Sequence, residues 1–216
     1  YTRKVAKPEF HKDERVYLQF HGVNASAKVL LNDKCVCTHD GGYSTFRVDV
    51  TESLQEENTL VVEVDNSVND KVYPQKADFT FYGGIYRDVE FLIVNKLHFD
   101  LDYYGGPGIK YTSQVNGDDA TLQVSTYVNK EALTADTKVV LSLSDAWGKE
   151  VVSAEAAVLG KSEAFDKEAQ SNGAENQFTL QVPNVHLWNG LEDPYLYTLQ
   201  ARLMKEGQVV DEISCN

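Results

Sequence analysis

The sequence predicts an all-β protein made of two β-sandwiches, and three observations lead to this prediction. Apolar and polar residues alternate with a period of two along most of the chain, which is typical of half-buried strands. Turn-forming residues separate these alternating runs. No stretch keeps a 3.6-residue period long enough for a stable helix, so residues 51–54 and 161–169 are predicted as turns or single helical turns. A chain of 216 residues has room for two domains of about a hundred residues each.

The strands of the first half are predicted from their pattern and from the turns between them. Three alternating runs and one continuous apolar run are found at residues 16–20, 46–50, 60–64 and 91–94. Asn32 and Asp33 lie between two apolar stretches, and such a pair predicts a two-residue hairpin. Gly41 and Gly42 predict a second tight bend, which directs the chain into the run that begins at residue 46.

A domain boundary is predicted near residues 95–97, because an apolar run ends there and a polar segment begins. The domains would then be residues 1–95 and 96–216. The second half contains seven strand-like runs, a number that suits an immunoglobulin-like sandwich. These runs are residues 97–104, 109–116, 121–128, 138–144, 150–158, 177–182 and 195–204. The stretch 160–176, rich in Ser, Glu and Ala, is predicted to be a mobile loop.

Charge and composition limit the classes of partner. The net charge is −13 without a basic stripe, so nucleic acid and anionic membrane surfaces are not expected as partners. No apolar run approaches the roughly 18 residues of a membrane span. Three cysteines do not make a disulfide framework, and reduced thiols favour a cytoplasmic compartment without fixing it. The histidines show no metal-ligand spacing, so no metal site is predicted in this chain.

The segment from Asp78 to Val89, which reads DFTFYGGIYRDV, resembles the end of the sugar-binding jelly-roll domain of glycoside hydrolase family 2, the β-galactosidase family. Further stretches are similar to motifs of that family and occur in the same order: YLQFHGV at 17–23, AKVLLN at 27–32, HDGGYSTF at 39–46, NTL to VDN at 58–66, LW at 187–188 and PYLY at 194–197. Asp33 is a departure, since the family usually has glycine there. The resemblance covers essentially the whole chain.

This resemblance implies a partial jelly-roll sandwich, whose first strands would precede Tyr1, followed by an immunoglobulin-like sandwich. It also implies a parent enzyme that hydrolyses β-glycosides with retention, with both catalytic glutamates on a (β/α)8 barrel. We therefore assign no catalytic residue to this chain and expect it to be inactive alone, to scaffold the barrel and to join a homo-oligomer. The expected substrate is a β-galactoside, with β-glucuronides and β-mannosides as alternatives. A stand-alone carbohydrate-binding module without enzymatic activity is the alternative from another class.

Asp78 is the main candidate for a binding residue. It lies in a connection of about twenty residues between Val64 and Ile85, longer than most connections in compact domains. The resemblance implies that Asp78 projects into the active site of the barrel and contacts the sugar or a monovalent cation. The parent is expected to use a divalent and a monovalent cation, while this chain alone needs no cofactor. The structural alternative is a carboxylate that pairs with Arg87 or caps the turn.

Aromatic and histidine side chains near Asp78 are further candidates. Phe79, Phe81 and Tyr82 are predicted either to form an aromatic wall against the apolar face of a sugar or to pack in the core or between domains. His39, in the turn before Tyr43, would either donate to a ligand or satisfy backbone groups of the turn. Both alternatives remain open at the level of sequence.

Five further residues are predicted to support the structure. Gly83 and Gly84 would let the backbone turn through positive φ. Arg87 would hold a carboxylate, Asp78 or Asp88, with its planar guanidinium. The second sandwich is predicted to bury its two tryptophans in the core, Trp147 and Trp188, and Trp188 lies in the motif that resembles the family signature.

Overall fold

The computed structural model describes residues 1–74, 76–158 and 173–216. It divides into two compact units, Tyr1–Val94 and Asn95–Asn216. Both units consist of β-strands with short turns, which confirms the predicted fold class. The predicted turn at 161–169 and most of the predicted loop at 160–176 lie outside the described residues, while residues 174–176 begin a strand. In the described part of the chain, no helix is long and apolar enough to cross a membrane.

The first unit contains nine strands in chain order: β1 Thr2–Ala6, β2 Glu14–Phe20, β3 Val23–Asn24, β4 Ser26–Leu31, β5 Lys34–Asp40, β6 Phe46–Asp49, β7 Glu57–Asp65, β8 Gly84–Ile85 and β9 Val89–Asn95. They form a four-stranded sheet in the order β1-β7-β4-β5, a three-stranded sheet in the order β6-β2-β9, and the small pair β3-β8. Strand β1 had not been predicted. A single 3-10 turn, Thr51–Ser53, confirms the predicted helical turn at 51–54.

The core of the first unit is built from the alternating runs. Val16, Leu18 and Phe20 of β2 are buried against apolar side chains of the four-stranded sheet. Phe20 stacks on Phe46 with ring centroids 4.8 Å apart. Burial of side chains of this size stabilises the fold by about 1.5 to 3 kcal/mol each. The core therefore fixes the strands from which the connecting turns extend.

Asn32 and Asp33 form the predicted two-residue hairpin between β4 and β5, with φ values of 52° and 65°. Positive φ at both central residues defines the turn type that matches the twist of a hairpin. The Asn32 side chain also donates to Asn58 Oδ1 at 2.9 Å. Asn58 is buried and in turn donates to the Gln55 carbonyl at 2.7 Å. The hairpin prediction is confirmed, and Asn58 anchors it to the strand β7.

The second unit contains seven strands: β10 Ile109–Asn116, β11 Asp119–Val128, β12 Lys138–Ser144, β13 Glu150–Ala157, β14 Ala174–Val182, β15 Thr198–Lys205 and β16 Gln208–Cys215. Two sheets, in the orders β10-β11-β14 and β13-β12-β15-β16, enclose one core. The number of strands agrees with the prediction. One predicted run is not a strand, however, and one observed strand matches no predicted run.

The predicted strand at 97–104 is wrong, and the strand Gln208–Cys215 had not been predicted. Four successive residues, Leu97 to Asp100, are buried, whereas a strand with one face exposed to solvent would bury only every second residue. Two backbone N–H groups of this segment donate to residues at and just after the end of β11. His98 N–H donates to Asn129 Oδ1, and Asp100 N–H donates to the Tyr127 carbonyl. The segment bonds to the end of β11 and to Asp211 of β16, which belong to different sheets, and it does not extend either sheet apart from one isolated bridge.

The predicted core position of the two tryptophans is also wrong. Trp147 is 81% exposed and Trp188 is 63% exposed. The core of the second unit is instead filled by Phe99, Phe178 and aliphatic side chains. Trp188 therefore cannot anchor this sandwich by burial among its strands, and its exposure needs another explanation.

Candidate functional site

The loop with Asp78 connects β7 to β8 in the first unit. Asp78, Phe79 and Tyr82 are all exposed, and Phe81 is partly buried. The rings of Phe79 and Phe81 lie 5.0 Å apart at 45°. Among the described residues none forms a hydrogen bond or ion pair with the Asp78 carboxylate. Phe79 and Tyr82 do not pack in the core of this unit, and the aromatic wall against a sugar stays a prediction beside packing between domains.

Two asparagines hold the base of this loop. Asn24 is buried in β3, and its side-chain amide donates to the Tyr82 carbonyl at 2.7 Å. Asn66 follows β7 and donates to the Phe81 carbonyl at 3.4 Å. Strand β3 also pairs with β8, so that Asn24 faces Gly84. The exposed tip therefore rests on a base that is fixed by hydrogen bonds from two different strands.

The glycine pair has two separate roles. Gly84 has φ +119°, a conformation that side chains rarely adopt, and an added Cβ would lie 2.5 Å from Tyr1 Oη. Gly83 does not have positive φ, so that part of the prediction is wrong. Its small size is required for a different reason, because an added Cβ would lie 2.7 Å from Cγ of Asn66.

Arg87 does not hold a carboxylate, which corrects the prediction. It is exposed, and Nη1 donates to the carbonyls of His21 at 3.2 Å and Tyr43 at 3.0 Å. Its guanidinium carbon lies 5.1 Å from the centre of the Tyr86 ring. Neither Asp78 nor Asp88 pairs with it within the described ranges. The two acceptor carbonyls belong to two different turns, residues 20–22 and 41–45. Arg87 therefore connects both turns to the segment that follows the Asp78 loop.

Tyr86 strengthens the same connection between turns. Its hydroxyl donates to the Gly42 carbonyl. Its ring lies 6.4 Å from that of Tyr43 in an edge-to-face arrangement. The turn at Gly41 and Gly42 is thus bonded to the segment that follows the Asp78 loop, although the two are far apart in sequence.

His39 lies beside this turn but points into the unit. Its ring stacks on Phe46 at 4.2 Å, and Nε2 is 3.2 Å from Ser44 Oγ. Burial lowers the pKa of His39, which the nearby Asp40 carboxylate and the Gly41 backbone partly oppose. His39 is therefore a neutral, partly buried ring at pH 7, and this arrangement favours the role in the turn over donation to a ligand.

A cavity of about 130 Å³ opens between the turn at Tyr43 and the start of the long loop. Its lining combines amide and aromatic side chains, namely Asn24, Tyr43, Asn66, Asn69, Tyr73 and Phe81, together with smaller groups. Amides that hydrogen-bond hydroxyls, beside aromatic faces, are the chemistry that binds sugars. Sequence reasoning had not selected Asn24 or Asn66. A sequence feature that could have indicated them is their position, since each asparagine is the last residue of a strand motif, HGVN or VDN.

The side chains that could ligate a metal are dispersed in the described part of the chain. In the described ranges, no three His, Cys, Asp or Glu side chains approach one another closely enough to hold a metal ion. Asp78 supplies one exposed carboxylate and no second ligand beside it. The expected contact of Asp78 with a monovalent cation concerns the intact parent and stays a prediction.

Two protein families match the chain by sequence. The family "Glycosyl hydrolase 2 galactose-binding domain-like" matches residues 1–103. The family "Glycosyl hydrolases family 2" matches residues 107–216. The two matches divide the chain between its two units and leave few residues unmatched.

Curated relatives carry two kinds of name. A β-glucuronidase of Bacteroides fragilis is 31% identical over 210 residues, which are 96% of this chain and 29% of that protein. A β-galactosidase of Thermoanaerobacter pseudethanolicus is 26% identical over 216 residues, which are 98% of this chain and 26% of that protein. The chain thus spans between a quarter and a third of the length of these relatives.

Solved structures agree in fold. An FMN-binding β-glucuronidase from Facaelibacterium prausnitzii L2-6 matches with a TM-score of 0.82 and 36% identity, over 99% of this chain and 31% of that chain. A putative β-galactosidase from Bacteroides fragilis matches with a TM-score of 0.85 and 28% identity, over 99% and 31%. Sequence profiles, curated relatives and solved structures all lead to the same assignment, and the chain belongs to glycosyl hydrolase family 2.

Proposed function

We propose that the chain is the non-catalytic N-terminal part of a retaining β-glycosidase, and that its Asp78 loop completes the sugar pocket of the catalytic barrel. One observation carries this proposal: an exposed carboxylate and exposed aromatic rings stand on a hydrogen-bonded base. Asn24 and Asn66 hold that base through the carbonyls of Tyr82 and Phe81. A group that is held in place before the substrate arrives loses less entropy on binding.

The chemistry of Asp78 suits a sugar ligand. A carboxylate accepts hydrogen bonds from hydroxyl groups, and charge-assisted bonds of this kind are stronger than neutral ones. The rings of Phe79 and Tyr82 offer apolar faces to the C–H groups of a pyranose. Because none of the described residues occupies the Asp78 carboxylate, both oxygens are available to a ligand.

Catalysis itself is assigned to another part of the parent. Retaining hydrolysis needs two carboxyl groups about 5 to 5.5 Å apart, one as general acid and one as nucleophile. The loop between β7 and β8 contains two acids, Asp70 and Asp78, and the resemblance to the family places both catalytic carboxyl groups on the barrel instead. We therefore expect no turnover by the chain alone, and monovalent or divalent cations would act with ligands from the rest of the parent.

Two glycones are candidates. The form of the segment from Asp78 to Val89 favours β-galactosides. The Bacteroides fragilis relative and the structure with 36% identity are named β-glucuronidases, and this observation favours β-glucuronides as the second candidate. A free carbohydrate-binding module remains the alternative from another class, since the cavity beside Tyr43 also has the side chains that bind sugars.

The test uses the whole protein encoded by the gene, with Asp78→Asn as the variant and Asp70→Asn as the matched control in the same exposed loop. Asp78→Asn should lower kcat/KM for the preferred nitrophenyl β-glycoside by about 10- to 100-fold, because one charge-assisted hydrogen bond to the sugar is lost. Asp70→Asn should change kcat/KM less than twofold. Melting temperatures of both variants should stay near that of the wild type.

Comparison of nitrophenyl β-galactoside with nitrophenyl β-glucuronide in the same assay decides between the glycones. Unchanged kcat/KM with a lowered melting temperature for Asp78→Asn would contradict the proposed role of the loop. Sugar binding by a protein without any glycosidase activity would favour the binding module instead.

A further inference from the structure

One edge of the second unit is open. Strand β10 lies at the edge of its sheet, and every residue from Lys110 to Asn116 is exposed. Tyr111 pairs with Val124, and Val115 pairs with Ala120. Paired residues in an antiparallel ladder point to the same face, and both partners are buried in the core. Tyr111 and Val115 thus lie on the inner face of the sandwich, where side chains are normally covered.

The opposite wall of this opening is the end of β16. Tyr111 Oη donates to the Asn216 carbonyl at 3.0 Å, which places the edges of the two sheets side by side. Between them runs a groove of about 230 Å³ that reaches the core residues Leu122 and Leu199. On the far side of the unit, β13 and β14 contact each other and close the sandwich. On the side of β10 and β16, residues 97–100 bond to the end of β11 and to Asp211 of β16 and cover one end of the core. Among the described residues, the core is accessible at the other end of that side, where the groove lies.

The rim of the groove comes from the segment 183–197, which also carries large apolar side chains. Leu187, Trp188 and Leu196 line the groove and are more than half or about half exposed. The segment itself is rigidly held. His186 Nε2 lies 2.6 Å from Asp193 Oδ2, and the His186 ring stacks on Tyr195 at 3.9 Å. Exposed apolar groups on a fixed scaffold mark a surface that another protein segment covers.

The lining is unusual for a chain of net charge −13, because none of its residues is Asp, Glu, Lys or Arg. An apolar occupant is required. A second copy of this chain would add the same net charge of −13, and like charges oppose that association. A segment of the same polypeptide would instead meet the groove at an effective concentration of about millimolar.

We propose that this open-edge groove, defined by Tyr111, Val115, Leu187, Trp188 and Leu196, is the surface on which the catalytic part of the longer family 2 enzyme docks. The inference rests on the proposed function in one respect, that the chain is part of a longer enzyme. The curated relatives support this step, since the chain covers only 29% and 26% of two of them. Apolar side chains of the catalytic part fill the groove and cover Trp188, and this explains why a tryptophan of the family motif is exposed here.

The test measures burial of the groove directly. Val115→Cys is the probe, and Val209→Cys is the matched control, since Val115 is 46% exposed inside the groove region and Val209 is 48% exposed on β16 away from it. The three native cysteines, Cys35, Cys37 and Cys215, are replaced by Ser. Labelling rates with a maleimide are then compared between the 216-residue chain and the full polypeptide that its gene encodes.

We expect labelling at position 115 to be at least 10-fold slower in the full polypeptide than in the 216-residue chain, and labelling at position 209 to differ less than twofold. Circular dichroism and melting curves confirm that each variant is folded. Equal rates at 115 would overturn the proposal, as would a gene that encodes only these residues. Protection at 115 that appears in the 216-residue chain as its concentration rises would show that a second copy is the occupant, and would overturn it as well.

Glycosidase activity of the full polypeptide, measured separately, distinguishes this inference from the proposed function. An inactive protein with protection at Val115 would remove the proposed function and keep the docking surface. An active enzyme without protection at Val115 would keep the proposed function and remove the docking surface.

Discussion

The two units present different surfaces to a partner. The first exposes a carboxylate and aromatic rings, Asp78, Phe79 and Tyr82, on a base held by side-chain hydrogen bonds. The second exposes Val115 on its own inner face and Trp188 on the neighbouring rim of the groove. Polar groups with fixed positions suit a small polar ligand, whereas an uncovered core face suits another part of a protein. The difference shows that exposure alone does not define a function, and that the chemistry of the exposed groups and their supports must be considered together.

The largest expected effect tests whether Trp188 belongs to the core or to a surface. Phe99 is buried in the second unit, and Phe99→Ala should lower the free energy of unfolding by about 3 to 5 kcal/mol through lost contacts and a cavity. Trp188→Ala should change it by no more than about 0.5 kcal/mol in the 216-residue chain, because the ring is mostly exposed. Urea denaturation of the two variants measures both values. Similar losses for the two would show that Trp188 is a core residue after all.

The second prediction concerns the base of the Asp78 loop. Asn24→Ala removes the donor to the Tyr82 carbonyl from a buried position, and should cost about 1 to 3 kcal/mol of stability. Hydrogen exchange of residues 79–82 should become faster in the same variant. Asn66→Ala is the control, since Asn66 is exposed and its bond is longer at 3.4 Å, and its effect should be smaller. A larger effect for Asn66→Ala would mean that the base is held mainly from β7.

A smaller effect is expected for Arg87→Ala. Arg87 is exposed and donates to two carbonyls without neutralising a buried carboxylate, so its removal should cost about 0.5 to 1.5 kcal/mol. Removal of one partner from a buried ion pair would instead cost about 3 to 5 kcal/mol. Thermal melts of Arg87→Ala beside Arg3→Ala, an exposed arginine on β1, separate these values. A loss of about 3 to 5 kcal/mol for Arg87→Ala would indicate that Arg87 pairs with a carboxylate, as the sequence predicted.

The smallest expected effect is a pH dependence that comes from His39. Because burial lowers its pKa in the folded chain, the unfolded chain binds this proton more readily below the ordinary value of about 6.5. The stability linked to neutral His39 is therefore fully present above that value, and it decreases as the pH falls toward the lowered folded pKa. His39→Phe, which keeps the ring stacked on Phe46, should remove this part of the decrease. Melting temperatures between pH 7.5 and about 5 provide the measurement, and parallel profiles for both proteins would contradict it.

Much of the fold was predictable because its signals are local. A period of two locates β2, β6 and β7, since successive side chains of a strand face opposite sides. The hairpin at Asn32 and Asp33 follows from residues that tolerate positive φ. The exception at Leu97 to Asp100 has a physical reason, because a segment that contacts both sheets of a sandwich can bury successive residues while its sequence still alternates.

The candidate site was predictable only in part. The position of Asp78 in a long exposed loop was visible in the sequence, as were the nearby aromatic residues Phe79 and Tyr82. The residues that support this loop were not visible in the sequence. Asn24 bonds to a carbonyl 58 residues away, and Arg87 bonds to one 44 residues away. Contacts of this kind depend on which strands become neighbours, and no local pattern encodes them.

The sequence by itself determined the strands, the hairpin turn and the family, because alternation, turn conformation and motif order are properties of neighbouring residues. Only the tertiary structure decided the partner of Arg87 and the exposure of Trp188. An arginine with one aspartate next to it and another nine residues earlier bonds to whichever acceptors the fold brings nearest, and here these are carbonyls. A tryptophan among strands is buried only where a second layer covers it, and the edge between β10 and β16 lacks that cover in the part of the chain that the structure describes.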